Sequence, residues 1–107
     1  MAYSILMLRR AQDDLRSITK WLGQRSPLGL ARWFDSLEDM LSELAKQPLA
    51  YARVTEAEGL PEGIRQTLFR TRRGKVYRVV FLVEQAEVRI LRIRAPGQRA
   101  LRRRDLG

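Results

Sequence analysis

The sequence predicts an α+β fold: a short N-terminal strand, an antiparallel helix hairpin, then a three-stranded antiparallel meander. Three observations predict it. Apolar residues recur at helical spacing in two stretches between residues 11 and 44. A helix-starting pair, Ser26-Pro27, separates those stretches. Beyond residue 64 the pattern changes to three short β-branched and aromatic runs with brief turns between them. A chain of 107 residues holds one such core and no second one.

Tyr3 to Leu8 reads as the first strand. In the first helix Ala11, Leu15, Ile18 and Leu22 follow at spacings of four, three and four, which is one helical face. Trp21 borders that face. Asp13 and Asp14 stand near the helix start, where the dipole favours negative charge, and Gly23 is expected to end or fray the helix. At Ser26-Pro27 the serine caps free amides, and proline at the first helical position loses no hydrogen bond. Leu30, Trp33, Phe34, Leu37, Met40, Leu41 and Leu44 then form a stripe wide enough to meet both the first helix and a sheet. Pro48 stops this helix. The few residues joining the helices make them an antiparallel hairpin.

Residues 47–63, with Pro48, Gly59, Pro61 and Gly63, read as a loop of a length that is often functional. Strands are predicted at Ile64 to Arg70, Val76 to Val83 and Val88 to Arg94, joined by turns at Thr71 to Lys75 and Glu84 to Glu87. Ala95-Pro96-Gly97 ends the meander. The domain is thus read as residues 3–97. Residues 98–107, with Arg102-Arg103-Arg104, are expected to be a mobile basic tail.

Composition bounds the chemistry. Cysteine and histidine are both absent, which excludes a zinc site, a Cys-His or Ser-His mechanism and a redox motif. No metal and no cofactor is expected. The longest strictly apolar run, Val79 to Val83, is far short of the roughly 20 residues of a membrane span. Ile5 to Leu8 precedes Arg9-Arg10, the reverse of a secretory signal, so a cytoplasmic domain with no membrane partner is expected. The net charge is +9, and 18 of the 21 basic residues are arginine. Residues 1–63 carry a net −1, whereas residues 64–107 carry +10. That separation points the C-terminal half at something acidic: nucleic acid, a ribosomal or DNA-bound surface, or an acidic protein.

Strand side chains alternate between faces. One face of the meander is expected to carry Leu68, Val79, Phe81, Val83, Leu91 and Ile93 beneath the helices, with Tyr77 at the core edge. The other would carry Arg65, Thr67, Phe69, Arg78, Val80, Leu82, Val88, Ile90, Arg92 and Arg94. The planar guanidinium fork matches phosphate geometry and stacks on bases. An apolar floor with arginines therefore suits a phosphate backbone or an acidic partner segment.

These residues together resemble a family. Ala11, Asp14-Leu15, Ile18 and Trp21; Ser26-Pro27, Ala31, Leu37, Leu44 and Pro48; Gly63-Ile64-Arg65; Tyr77-Arg78-Val79 and Phe81; and Val88 with Ile90 to Arg94 look like the RelE/ParE superfamily of type II toxins, ParE-like rather than RelE-like. The resemblance covers residues 3 to about 101. It implies the strand, hairpin and sheet already read, and a bacterial or archaeal protein held inactive by a cognate antitoxin encoded beside it. RelE-like members cut mRNA on the ribosome, and ParE-like members poison DNA gyrase. Tyr77-Arg78 matches the family's aromatic-arginine pair, whose arginine contacts RNA phosphate in the nucleases. Arg65 matches a basic position of those members, but the second such position is Thr67 here. Ala95 stands where many relatives have histidine.

RNA cleavage needs groups that take and give a proton near neutral pH, and arginine stays protonated. Glu56, Glu58 and Glu62 could supply a base but read as ordinary loop acids. The resulting expectation is a toxin that binds a nucleic-acid-processing target, DNA gyrase first. The alternatives are a ribosome-dependent mRNA endonuclease, in which Arg65, Arg78 and Arg92 would be catalytic, and a non-toxic basic binding module. Expected target contacts are Arg65, Arg78, Arg92, Arg94 and Arg99. Expected antitoxin contacts are Leu30, Trp33, Leu37, Val80 and Ile90.

Overall fold

A computed structural model describes residues 2–54, 60–71 and 74–106. The elements run β1 (Ser4–Met7), α1 (Arg9–Arg25), α2 (Pro27–Lys46), a 3-10 turn (Pro48–Ala50), β2 (Arg65–Phe69), β3 (Tyr77–Glu84), β4 (Glu87–Arg94) and a second 3-10 turn (Arg103–Leu106). Glu56 and Glu58 lie outside the described residues, as do Gly59, Arg72 and Arg73.

The hairpin forms for the reasons legible in its sequence. The Ser26 hydroxyl accepts from the Gly29 amide at 3.0 Å, and Pro27 opens α2. α1 does not end at Gly23 but runs on to Arg25, which leaves Gly23 in its last turn, and the Ser26 amide still donates to the Leu22 carbonyl. Cooperative helix bonding carries one glycine, at a cost of about 1 kcal/mol relative to alanine.

The sheet order is β1-β4-β3-β2. β2–β3 and β3–β4 pair antiparallel, whereas β1 lies parallel to β4, Ser4 opposite Glu87 and Met7 opposite Ile90. Gln85, at φ 54, and Ala86 form the two-residue link between β3 and β4. The helices cover one face. There Ala11, Trp33, Leu37, Met40 and Leu44 meet Phe69, Tyr77, Val79, Phe81, Val88, Ile90 and Ile93. Trp33 sits with Phe69 and Tyr77, ring centres 5.5 Å from each.

Strand parity departs from the sequence reading at two places. Leu68 and Phe69 are exchanged: Phe69 pairs with Tyr77 on the helix side, and Leu68 is 59 % exposed opposite Arg78. In β4, Val80 pairs with Arg92 but Phe81 pairs with Ile90, so Leu91 is an extra residue. Such a bulge inverts the parity of everything before it. Val88 and Ile90, expected on the outer face, are therefore fully buried beneath the helices, and Leu91 turns outward.

Contrary to the single core expected from the length, the outer face carries a second, smaller one. Ile64, Val80, Leu91 and Leu101 are buried there, with Leu8, Val54, Leu60, Leu82 and Leu106 packed around them. This corrects the expectation of a mobile tail. Gly97, at φ 82, lets the chain double back, and Leu101 is then fully buried on the sheet. Burial of a leucine contributes about 1.5–3 kcal/mol, enough to order a short segment that also finds polar partners.

Candidate functional site

The arginines expected to form one row divide between the two faces. Arg65 is the cross-strand partner of Phe81 and so lies on the helix side, where its Nη1 donates to the Tyr51 carbonyl at 2.6 Å. It ties the 47–63 loop to β2 and does not join the other four. Arg78 and Arg94 are direct cross-strand partners on the outer face, and Arg92 pairs with Val80 there. Arg99 reaches the same region from the tail. The structure thus brings together Arg78, Arg92, Arg94 and Arg99.

Most of their donors are directed at the protein itself. Arg92 makes a paired contact with Asp14 of α1, Nε and Nη2 donating at 2.8 and 2.9 Å, and its Nη1 donates to the Asp105 carbonyl. The same Asp14 carboxylate accepts the Ile93 amide at 2.9 Å. β1 pairs only as far as Ile90, so this side chain satisfies the next free amide on that edge. Arg94 is buried and donates Nη2 to the Arg99 carbonyl at 2.6 Å. Arg99 forks onto Asp105 at 2.7 and 2.8 Å, and the Arg102 amide adds a third bond to that carboxylate. Arg78 donates to Gln66 at 3.0 Å. Charge-assisted bonds of this kind satisfy guanidinium groups that would be costly to bury alone.

The electrostatics follow the geometry. Hydrogen bonding to Arg99 and the Arg102 amide holds the Asp105 carboxyl well below the usual carboxylate range. Bonding to Asp14 raises Arg92. Arg78 is lowered by desolvation and then by Arg94, and Arg94 by desolvation and then by Arg92. Four guanidinium groups face two carboxylates, so the patch keeps a net positive charge. Among the described residues, the Nε of Arg94 and the indole N–H of Trp33 are buried without a hydrogen-bond partner.

The expected antitoxin contacts are mostly inaccessible. Trp33 and Leu37 pack inward on α2, Ile90 lies under the helices and Val80 lies under the tail. Only Leu30 keeps partial exposure. α2 buries a narrow stripe, Trp33, Leu37, Met40 and Leu44, against both α1 and the sheet, with Leu30 at its margin. Sequence reasoning missed the exposed apolar residues Trp21, Leu28, Phe34, Leu68 and Val76. It also missed the structural part of Asp14 and Asp105, the two acids set among the basic groups.

Tyr77 precedes Arg78 in sequence but points to the opposite face, where burial raises its hydroxyl pKa. Among the described residues no group of acidic, histidine or cysteine side chains is placed to hold a metal, and no helix is long and apolar enough to cross a membrane.

The chain is thus a helix hairpin packed on one face of a four-stranded sheet whose other face gathers arginines. The sequence pattern of the ParE toxin of the type II toxin–antitoxin system parDE matches residues 5–99. The chain belongs to the ParE toxin family. Its fold is similar to a chain of the chromosomal ParDE toxin–antitoxin system from P. aeruginosa, with a TM-score of 0.64 at 20 % identity over 87 % of this chain and 95 % of that one. It is also similar to a double arginine-to-alanine mutant of the E. coli toxin RelE in the free state, with a TM-score of 0.54 at 19 % identity over 91 % and 86 %. No curated protein matches the chain significantly.

Proposed function

We propose that this ParE-type toxin arrests growth by binding DNA gyrase through the outer-face arginines, and that a cognate antitoxin neutralises it. The observation that carries the reading is the accessible part of Arg78, Arg92 and Arg99 on the outer face, with the buried Arg94 behind them adding to the positive charge. Such a patch suits a phosphate backbone or an acidic protein surface. Binding is favoured over RNA cleavage by the position of Tyr77. The titratable side chain next to Arg78 in sequence is turned into the helix-side core, away from any phosphate held by Arg78. The antitoxin reading is supported by the family and by Leu68, exposed opposite Arg78 on the β2 edge. An antitoxin segment with acidic and apolar residues would cover both, by adding a strand to that edge.

Expression without the antitoxin tests this, reading DNA breaks and the SOS response against mRNA loss. Purified toxin is expected to inhibit gyrase supercoiling. Fast codon-positioned cleavage on programmed ribosomes, with supercoiling unaffected, would overturn the proposal.

A further inference from the structure

A second basic cluster draws on residues 1–63, whose near-neutral net charge hides it. Residues 15–34 contain no Asp or Glu, and Lys20, Arg25 and Arg32 flank the hairpin tip. Residues 63–83 also contain no acid, and Lys75 within them faces the hairpin. Among the described residues, the fold brings parts of these two acid-free stretches together. Trp21 and Arg32 from the hairpin, Lys75 from the end of the β2–β3 connection and Tyr77 from the start of β3 line one cleft of about 610 Å³. That volume lies within the range of sites that take small organic ligands or a nucleotide, about 300–1,000 Å³.

The cleft is aromatic as well as basic. Trp21 is 48 % exposed, unusual for so large an apolar side chain, and the Arg25 guanidinium sits 4.1 Å from its ring centre. Trp33 and Tyr77 form the floor. Stacking rings beside cations are the two elements that hold single-stranded nucleic acid: bases lie on π-faces and phosphates meet the charges. We propose that this cleft binds a single-stranded nucleic-acid segment, with a base against Trp21 and the flanking phosphates at Arg32 and Lys75. An acidic protein segment would meet the same charge, but an indole–guanidinium pair left open to solvent matches a base better than a carboxylate. The inference goes beyond the toxin reading: it concerns the helix side of the sheet and not the outer-face arginines, and its assay does not depend on growth arrest.

The test uses the purified full chain and a fluorescein-labelled oligothymidylate of about ten nucleotides, followed by anisotropy. An oligouridylate of the same length is run beside it, and the ratio of the two affinities names DNA or RNA as the source. Loss of one stacked base in Trp21→Ala is expected to weaken binding about 5- to 150-fold, with Trp21→Phe recovering most of it. Arg32→Ala and Lys75→Ala are each expected to flatten the salt dependence by about 0.7 in log–log slope. Lys46→Ala, an exposed substitution at the far end of α2, is the control and leaves affinity unchanged. Circular dichroism checks that each variant is folded. Undiminished binding in folded Trp21→Ala would overturn the proposal. So would polyglutamate displacing the strand from wild type while binding with the same dependence on Trp21, because the cleft would then belong to an acidic protein.

Discussion

Leu101→Ala measures whether the C-terminal segment is part of the fold. Leu101 is fully buried against Ile64, Val80 and Leu91 on the outer face. Truncation to alanine removes the transfer energy of the lost atoms and leaves a cavity, which for buried leucines costs about 2–5 kcal/mol. Against a total stability of about 5–15 kcal/mol for a domain of this size, that is a large fraction. At roughly 4 °C per kcal/mol near this length, the melting temperature should fall by about 8–20 °C. Urea unfolding followed by far-ultraviolet circular dichroism, with an unchanged m-value, gives the energy directly. Arg103→Ala, exposed in the same segment, is the control and should stay within about 0.5 kcal/mol of wild type. If Leu101→Ala matches that control, the segment is not packed on the sheet, and the second core is refuted.

Three further outcomes are expected. Arg78→Ala should reduce growth arrest with the fold intact, because one charge-assisted contact is worth about 1–3 kcal/mol in binding; undiminished arrest would remove the outer face from the mechanism. Asp14→Ala should destabilise the protein by about 3–5 kcal/mol in urea, since it strands the half-buried Arg92 and the Ile93 amide, and Asp14→Asn should recover part of the loss. The depressed pKa of Asp105 means that its stabilising contribution is complete above the unfolded carboxyl value and is lost as pH falls from about 4 downward. Asp105→Asn should therefore flatten the acid limb of the stability profile, and equal acid sensitivity in the two proteins would refute that assignment.

Local chemistry was legible in the sequence wherever it acts between near neighbours. The Ser26 cap, Pro27 at the start of α2, the buried stripe from Trp33 to Leu44, and the three meander strands all follow from spacing and capping within one element. The family resemblance rests on the same pattern. The site was less legible because it depends on register. One extra residue at Leu91 moved Val88 and Ile90 into the core, and the pairing of Arg65 with Phe81 separated Arg65 from Arg78. Alternation along a strand carries no mark of a bulge, so parity was right on one side of it only.

What the sequence alone determined is therefore the element order, the hairpin and the excess of arginine in the second half. What only the tertiary structure decided is which arginines meet and what they are bonded to. Asp14 and Arg92 are 78 positions apart, yet their pairing closes the β4 edge. Arg94 and Arg99 hold a tail that reads as mobile when composition is the sole guide. Trp21 and Lys75 likewise share a cleft across a long separation in the chain. Contacts of this kind form because buried amides, carbonyls and guanidinium groups must all find partners in the one packed arrangement, a condition set by the whole chain at once.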